Sequence, residues 1–105
     1  MIYLDGELKA TMCTILNIYL LVIIAPVTEE LFFRGYLLNR WKNKFNTIIA
    51  VVLTSFLFAL FHADLLGALI FSVILSLVYL KTKSIYGPVI IHFSNNAIVS
   101  IFVLI

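Results

Sequence analysis

The stretch APVTEELFFRGYL, Ala25 to Leu37, sets two adjacent carboxylates, Glu29 and Glu30, and the guanidinium of Arg34 inside a long apolar run. The run looks built for lipid. An ionisable side chain near the centre of a membrane helix costs about 2.5–3.5 kcal/mol on insertion scales, so such groups pair with one another or face a watery cavity. Whatever surrounds these three residues therefore decides both the fold and the site.

The rest of the chain agrees with a membrane setting. Its 105 residues suit a single domain, 1–105. Hydrophobic residues make up 64% and charged residues 11%, against about 45–50% and about 25% in an average soluble domain. The mean hydropathy is +1.17. A soluble fold this small buries only about 60% of the surface its unfolded chain exposes, so lipid has to solvate much of this one. A net charge of +2, with no basic run interleaved with aromatics, gives no basis for nucleic-acid binding. The single cysteine, Cys13, excludes an internal disulfide and a cysteine-rich metal site, and reads as a small apolar residue of a membrane helix. The opening MIYLDGELKA is acidic, which makes the first apolar segment a membrane span rather than a signal peptide.

Four apolar segments follow one another. The first runs from Ala10 through Val27, interrupted by Asn17, and continues past Pro26 as TEELFFRGYLLNRW; it is expected to be long and kinked near Pro26. The second is Thr47 to Phe61, with Asn46 or Thr47 as its cap, and the third is Leu65 to Leu80, with Asp64 at its N-cap. The fourth is Gly87 to Ile105, with Pro88 in its first turn. Such lengths are what a bilayer core of about 30 Å asks of a helix. Spanning strands are shorter, alternate in polarity and must close into a barrel. The expected fold is all-α: a polytopic transmembrane bundle of about four spans. Ala68, Ser72 and Ser76 form a small-residue ridge suited to close helix packing. The basic loops 40–46 and 81–85 lie on one side of an up-and-down bundle. The positive-inside rule puts them in the cytoplasm and both termini outside.

Five polar positions in the spans need a reason: Glu29, Glu30, Arg34, His62 and His92. Glu30 and Arg34 are four apart on one helix face and can neutralise each other as an ion pair. Glu29 sits about 100° around the helix and has no comparable local counter-charge, which suits it to work as a general base. A lone membrane histidine is often an interhelical hydrogen-bonder. Two histidines, an asparagine (Asn96 shares a face with His92, with Asn95 nearby and Ser100 a turn further along) and a spare glutamate, drawn from three helices, suggest one hydrated pocket with a base, proton carriers and donors. Two chemistries fit. Either Glu29 deprotonates a water that attacks a peptide carbonyl while donors hold the oxyanion, or Glu29, His62 and His92 bind a zinc ion that activates the water. No HExxH helix is present, and no serine or cysteine has a nucleophile-like setting.

The segments EELFFR (Glu29 to Arg34), FALFH (Phe58 to His62) and HFSNN (His92 to Asn96) resemble, in that order, the EExxxR, FxxxH and HxxxN motifs of the CAAX protease and bacteriocin-processing intramembrane protease family. That family includes CAAX prenyl endopeptidases and bacterial proteins linked to bacteriocin self-immunity. The resemblance covers about two thirds of the chain and implies a glutamate-type intramembrane peptidase without a metal cofactor. By position, Glu29 is the water-activating base assisted by His62. His92 and Asn96 stabilise the oxyanion, with Glu30 and Arg34 in support. The expected partners are membrane lipid and a peptide or protein substrate, lipidated or of bacteriocin type. A non-catalytic immunity relative is the alternative. Family members usually carry further helices before the EExxxR segment, so a truncated or minimal form is expected.

The resemblance also sets a geometric demand. At 1.5 Å per residue, Glu29 is about 16 Å from Arg40 and His62 about 27 Å from Lys44. For the two to meet, the second helix has to tilt strongly or begin along the membrane surface.

Overall fold

The computed structural model describes residues 5–104; Ile105, the expected end of the fourth segment, lies outside the described residues. Four helices follow in order: the first over Gly6–Lys44, the second over Thr47–Leu60, the third over Leu65–Thr82 and the fourth over Tyr86–Leu104. The fold is the expected all-α membrane bundle. The first, third and fourth helices are long and apolar enough to cross a bilayer. The second is 14 residues, about 21 Å, and falls short of a 30 Å core.

The sequence caps the first three helices locally. Asp5 accepts a hydrogen bond from Leu8 N–H at 2.7 Å, Asn46 from Ile49 N–H at 2.9 Å and Asp64 from Gly67 N–H at 3.0 Å. The third helix ends on Lys83 in a left-handed conformation, φ 54°. Pro88 falls within the first turn of the fourth, as expected.

The first helix is irregular where Pro26 disturbs it, without being broken. Residues Leu20–Ile24 are π-helical, and a second π-helical stretch covers Phe33–Leu38. Single π turns often sit at functional sites. Here they bracket the short α-helical piece Ala25–Phe32 that carries Glu29 and Glu30. In the first stretch Ala25 N–H bonds back to Leu20 O, and Pro26 has no N–H to offer. The carbonyl of Leu21 is thus left without a donor in its own helix. Asn96 of the fourth helix supplies one, Nδ2 to O at 2.8 Å. At the second stretch Asn39 Nδ2 reaches the carbonyls of Arg34 and Gly35 at 3.3 and 3.1 Å, and the Tyr79 hydroxyl at 2.7 Å. An asparagine amide repairs each irregular turn.

The second and third helices form the tightest pair. Ala50, Val51, Thr54, Ser55, Phe58 and Ala59 make one buried stripe on the second, and Ala68, Ser72, Leu75 and Ser76 make its counterpart on the third. The small-residue ridge is the packing face expected of it. Apolar clusters lie at either end, one around Phe33, Phe58 and Ala68, the other around Leu38, Ala50 and Val51.

The depth mismatch between Glu29 and His62 disappears because the first helix does not stop at Arg40. It runs on to Lys44, and the chain reverses at Phe45–Asn46. Glu29 is sixteen residues before Phe45 and His62 sixteen after Asn46. A plain antiparallel hairpin brings them level, with no strong tilt required.

Ser76 Oγ is buried with no hydrogen-bond partner, so removing it leaves nothing unpaired. Ser76→Ala should change stability by less than about 0.5 kcal/mol, whereas Ser76→Leu should cost about 1–3 kcal/mol by overpacking the ridge. Thermal unfolding in detergent distinguishes these outcomes; equal effects would contradict the packing described.

Candidate functional site

Glu30 links two helices through one oxygen, while its Oε1 has no hydrogen-bond partner. Its side chain is fully buried. Oε2 accepts from Arg34 Nη1 at 3.3 Å and from His92 Nδ1 at 2.7 Å. Arg34, also fully buried, sends Nη2 to the carbonyl of Ser72, at 2.8 Å, and to its hydroxyl. Its guanidinium carbon lies 4.8 Å from the centre of the Phe58 ring. The local ion pair expected from the i, i+4 spacing is present. Its longer reach is what the sequence did not show: it ties the first helix to the third through Ser72 and to the fourth through His92.

Glu29 occupies a different environment. Its side chain is about one third exposed, yet Oε2 itself is shielded and has no hydrogen-bond partner. That oxygen faces His62 Nε2 at 3.8 Å and His92 Nε2 at 3.7 Å. His62 lies two residues past the end of the second helix and His92 in the second turn of the fourth. Three of the expected site residues therefore converge on one point.

The far side of each imidazole defines what it presents to that point. His62 Nδ1 lies 2.7 Å from Phe58 O. A carbonyl only accepts, so Nδ1 carries the hydrogen and neutral His62 shows a lone pair at Nε2. His92 Nδ1 likewise donates to the Glu30 carboxylate, and neutral His92 also shows a lone pair at Nε2. These tautomers follow from the hydrogen-bond network. Three acceptors thus point at one another across gaps slightly too wide for direct bonds. A water molecule, with two hydrogens to give, is the complementary occupant.

Aromatic rings fix both imidazoles. Phe58 stacks on His62, with centroids 4.3 Å apart and planes at 22°. Phe58 and Phe71 meet His92 edge-on at 5.8 and 5.6 Å. Asn96 lines the same cavity of about 360 Å³ as Glu29, His62 and His92. One of its amide hydrogens is committed to Leu21 O, which leaves the second available to a bound molecule. Asn95 lines an adjoining cavity instead.

Sequence reasoning did not single out Ser72 as a partner of Arg34, Phe58 as the platform under both histidines, or Asn39 as the brace of the second π-helical turn. The FxxxH spacing was the available signal for Phe58, since residues four apart share a helix face.

As a zinc site the trio fits poorly. Ligand atoms about 2.0 Å from a tetrahedral zinc stand about 3.3 Å from one another, and Glu29 Oε2 is 0.4–0.5 Å further than that from each ring nitrogen. Among the described residues, no three His, Cys, Asp or Glu side chains are arranged to hold a metal ion.

A membrane helix bundle with a shielded carboxylate facing two imidazoles is the arrangement that the three motifs imply. Residues 11–98 match the family described as type II CAAX prenyl endopeptidase, Rce1-like, and the chain belongs to that family. The protein YxdF of Lactococcus lactis is 40% identical over 82 residues, covering 74% of this chain and 45% of its own length. The membrane-embedded CAAX protease MroQ of Staphylococcus aureus is 38% identical over 97 residues, covering 84% of this chain and 39% of MroQ. The putative membrane peptidase YdiL of Bacillus subtilis is 30% identical over 82 residues, covering 75% and 34%. The chain spans less than half the length of these curated relatives. No solved structure matches it.

Arg34→Ala leaves the buried Glu30 without its cation and should destabilise the protein by about 3–5 kcal/mol. A double variant, Glu30→Gln with Arg34→Met, should recover most of that loss. Melting in detergent micelles is the check; an Arg34→Ala protein as stable as the parent would show that the pair does not hold the bundle.

Proposed function

We propose that the protein is a membrane-embedded endopeptidase in which Glu29 activates a water for attack on a peptide carbonyl. The observation that carries this reading is the shielded, unpartnered Oε2 of Glu29 set 3.8 and 3.7 Å from two imidazole nitrogens. Family membership and the peptidase names of MroQ and YdiL support it.

In the reaction, a water donates one hydrogen to Glu29 Oε2 and the other to His62 Nε2. Glu29 takes its proton as the water oxygen bonds to the carbonyl carbon, and the carbonyl electrons move onto oxygen. Asn96 offers its second amide hydrogen to that oxyanion. His92 can donate from Nε2 only in its doubly protonated form, with Glu30 holding Nδ1–H. When the C–N bond breaks, the proton on Glu29 passes to the leaving amine, directly or through His62. Glu30 and Arg34 touch neither water nor substrate in this scheme; they fix the ring of His92.

No metal takes part in this scheme. The substrates are membrane-associated peptides or proteins, lipidated or of bacteriocin type, reached from within the lipid. The basic loops 40–46 and 81–85 face the cytoplasm, with both termini outside, on the strength of the positive-inside rule.

Glu29→Gln keeps the shape and loses the base. It should lower peptide cleavage by at least about a thousandfold, in the upper part of the range for general-base catalysis, while membrane insertion stays normal. Turnover within a few-fold of the parent would reject Glu29 as the base. Chelator treatment of the purified protein should leave the rate unchanged; a loss restored by zinc would reject the metal-free scheme.

A further inference from the structure

Charge is divided unevenly between the two ends of the bundle. Of the chain's seven lysines and arginines, five lie where the first and third helices end: Arg40, Lys42 and Lys44, then Lys81 and Lys83. Asn39 Nδ2 meets the Tyr79 hydroxyl at 2.7 Å, so the two groups share one end. All five acids, Asp5, Glu7, Glu29, Glu30 and Asp64, lie elsewhere. Among the described residues none of these five cations has an acidic partner. Each helix C-terminus offers about half a negative charge, which offsets only a fraction of the excess. The same end marks a membrane boundary. Trp41 and Tyr79 pack against the Leu38 cluster and Tyr86 opens the fourth helix, as aromatic residues do at headgroup depth. The exposed apolar face of the second helix begins two residues past the reversal, at Ile48.

Within this end an open hollow of about 480 Å³ is lined by Arg40, Asn43 and Lys44. Spacings of three and four residues set them on one helix face, where the like charges of Arg40 and Lys44 repel. An anion between them turns that repulsion into attraction. A phosphate suits all three side chains. The guanidinium takes two of its oxygens, the ammonium adds a point charge and the Asn43 amide offers a hydrogen bond. The approach to the hollow says which phosphate. Four residues before Arg40 the helix exposes Tyr36, and four before that Phe32; each is about half exposed, and their ring centroids stand 6.2 Å apart. An acyl chain lying along these rings delivers its headgroup to the hollow, whereas a soluble anion gains nothing from them.

We propose that this hollow binds the headgroup of an anionic phospholipid, with the phosphate between Arg40 and Lys44, the Asn43 amide donating to it, and an acyl chain along Tyr36 and Phe32. Lys42, Lys81 and Lys83 add a diffuse attraction to the same leaflet without forming the site.

Trp41 is the chain's only tryptophan and follows Arg40 directly, so its fluorescence reports on the hollow. The test places the full chain in vesicles of phosphatidylcholine and phosphatidylglycerol, with bromine on the acyl chains of one lipid or the other. Quenching of Trp41 then gives the affinity for phosphatidylglycerol relative to phosphatidylcholine. The parent should favour phosphatidylglycerol by about fivefold or more, the contribution of one or more cations beside an anionic headgroup. Arg40→Gln with Lys44→Gln should bring the ratio close to one, and Asn43→Leu should lower it with no change of charge. Lys81→Gln with Lys83→Gln removes the same charge, yet should leave the ratio within about twofold of the parent, because charges away from the site are screened. All five substituted side chains are exposed, so the fold tolerates the changes. A parent ratio near one would overturn the proposal. So would an equal fall in both double variants, which would leave only a diffuse basic surface. Relief of quenching by inorganic phosphate or by a polyglutamate peptide would give the hollow to a soluble anion and overturn it too. No cleavage is involved, so the outcome is independent of the peptidase reading.

Discussion

One buried carboxylate organises this bundle. Glu30 accepts from Arg34 on its own helix and from His92 on the fourth, and Arg34 continues the link to Ser72 on the third. In lipid, helices gain little from hydrophobic association and are held by packing and interhelical hydrogen bonds. A charged pair there must find partners, and the places where it finds them set the relative depth and rotation of three helices. Glu29 then falls where it does because it is the next residue, turned about 100° from Glu30 toward the edge of the helix that His62 and His92 overlook. The two carboxylates are adjacent in sequence and differ in setting. Glu30 is fully buried with Oε2 bonded to Arg34 and His92, whereas Glu29 is partly exposed; each keeps one oxygen without a protein donor, Oε1 of Glu30 and Oε2 of Glu29.

The irregularity of the first helix is part of the same arrangement. Pro26 removes a donor just before the glutamates, and the π-helical turn that precedes it leaves Leu21 O to be bonded from outside the helix. Asn96 fills that need, which places it in the lining of the cavity that Glu29, His62 and His92 share. A residue that the family resemblance assigns to the oxyanion thus also supports the backbone, and its two amide hydrogens allow both roles. At the other end of the glutamate segment, Asn39 performs the same repair and connects to Tyr79. The first helix is thereby braced on either side of Glu29 by side chains that a regular helix would not need.

Much of this was legible in the amino-acid sequence, for identifiable reasons. Composition and run length gave the all-α membrane bundle because lipid imposes a length and an apolarity that few other settings share. The caps at Asn46 and Asp64 and the Glu30–Arg34 pair were legible because they act over three or four residues, where spacing alone determines proximity. The bond from Glu30 to His92 spans 62 residues and no periodicity encodes it, so Glu30 read as a local neutraliser of Arg34. Ser72 read only as a small packing residue, because a serine suits a tight helix contact whether or not its hydroxyl has a partner. The π-helical turns left no direct mark beyond Pro26. The apparent depth conflict arose from measuring the depth of Glu29 from Arg40, when the helix continues through Lys42 and Lys44, whose charges are favoured in a last turn.

Glu29 and both imidazoles must meet in the membrane for the proposed chemistry to occur. The most direct measurement is solid-state NMR in lipid bilayers, with the Glu29 carboxyl carbon and the histidine ring nitrogens labelled. Dipolar coupling from that carbon to Nε2 of both His62 and His92 is predicted, because the carbon is one bond from Oε2, which lies 3.8 and 3.7 Å from the two nitrogens. Absence of coupling to either ring, with the carboxyl in contact with acyl chains instead, would contradict it.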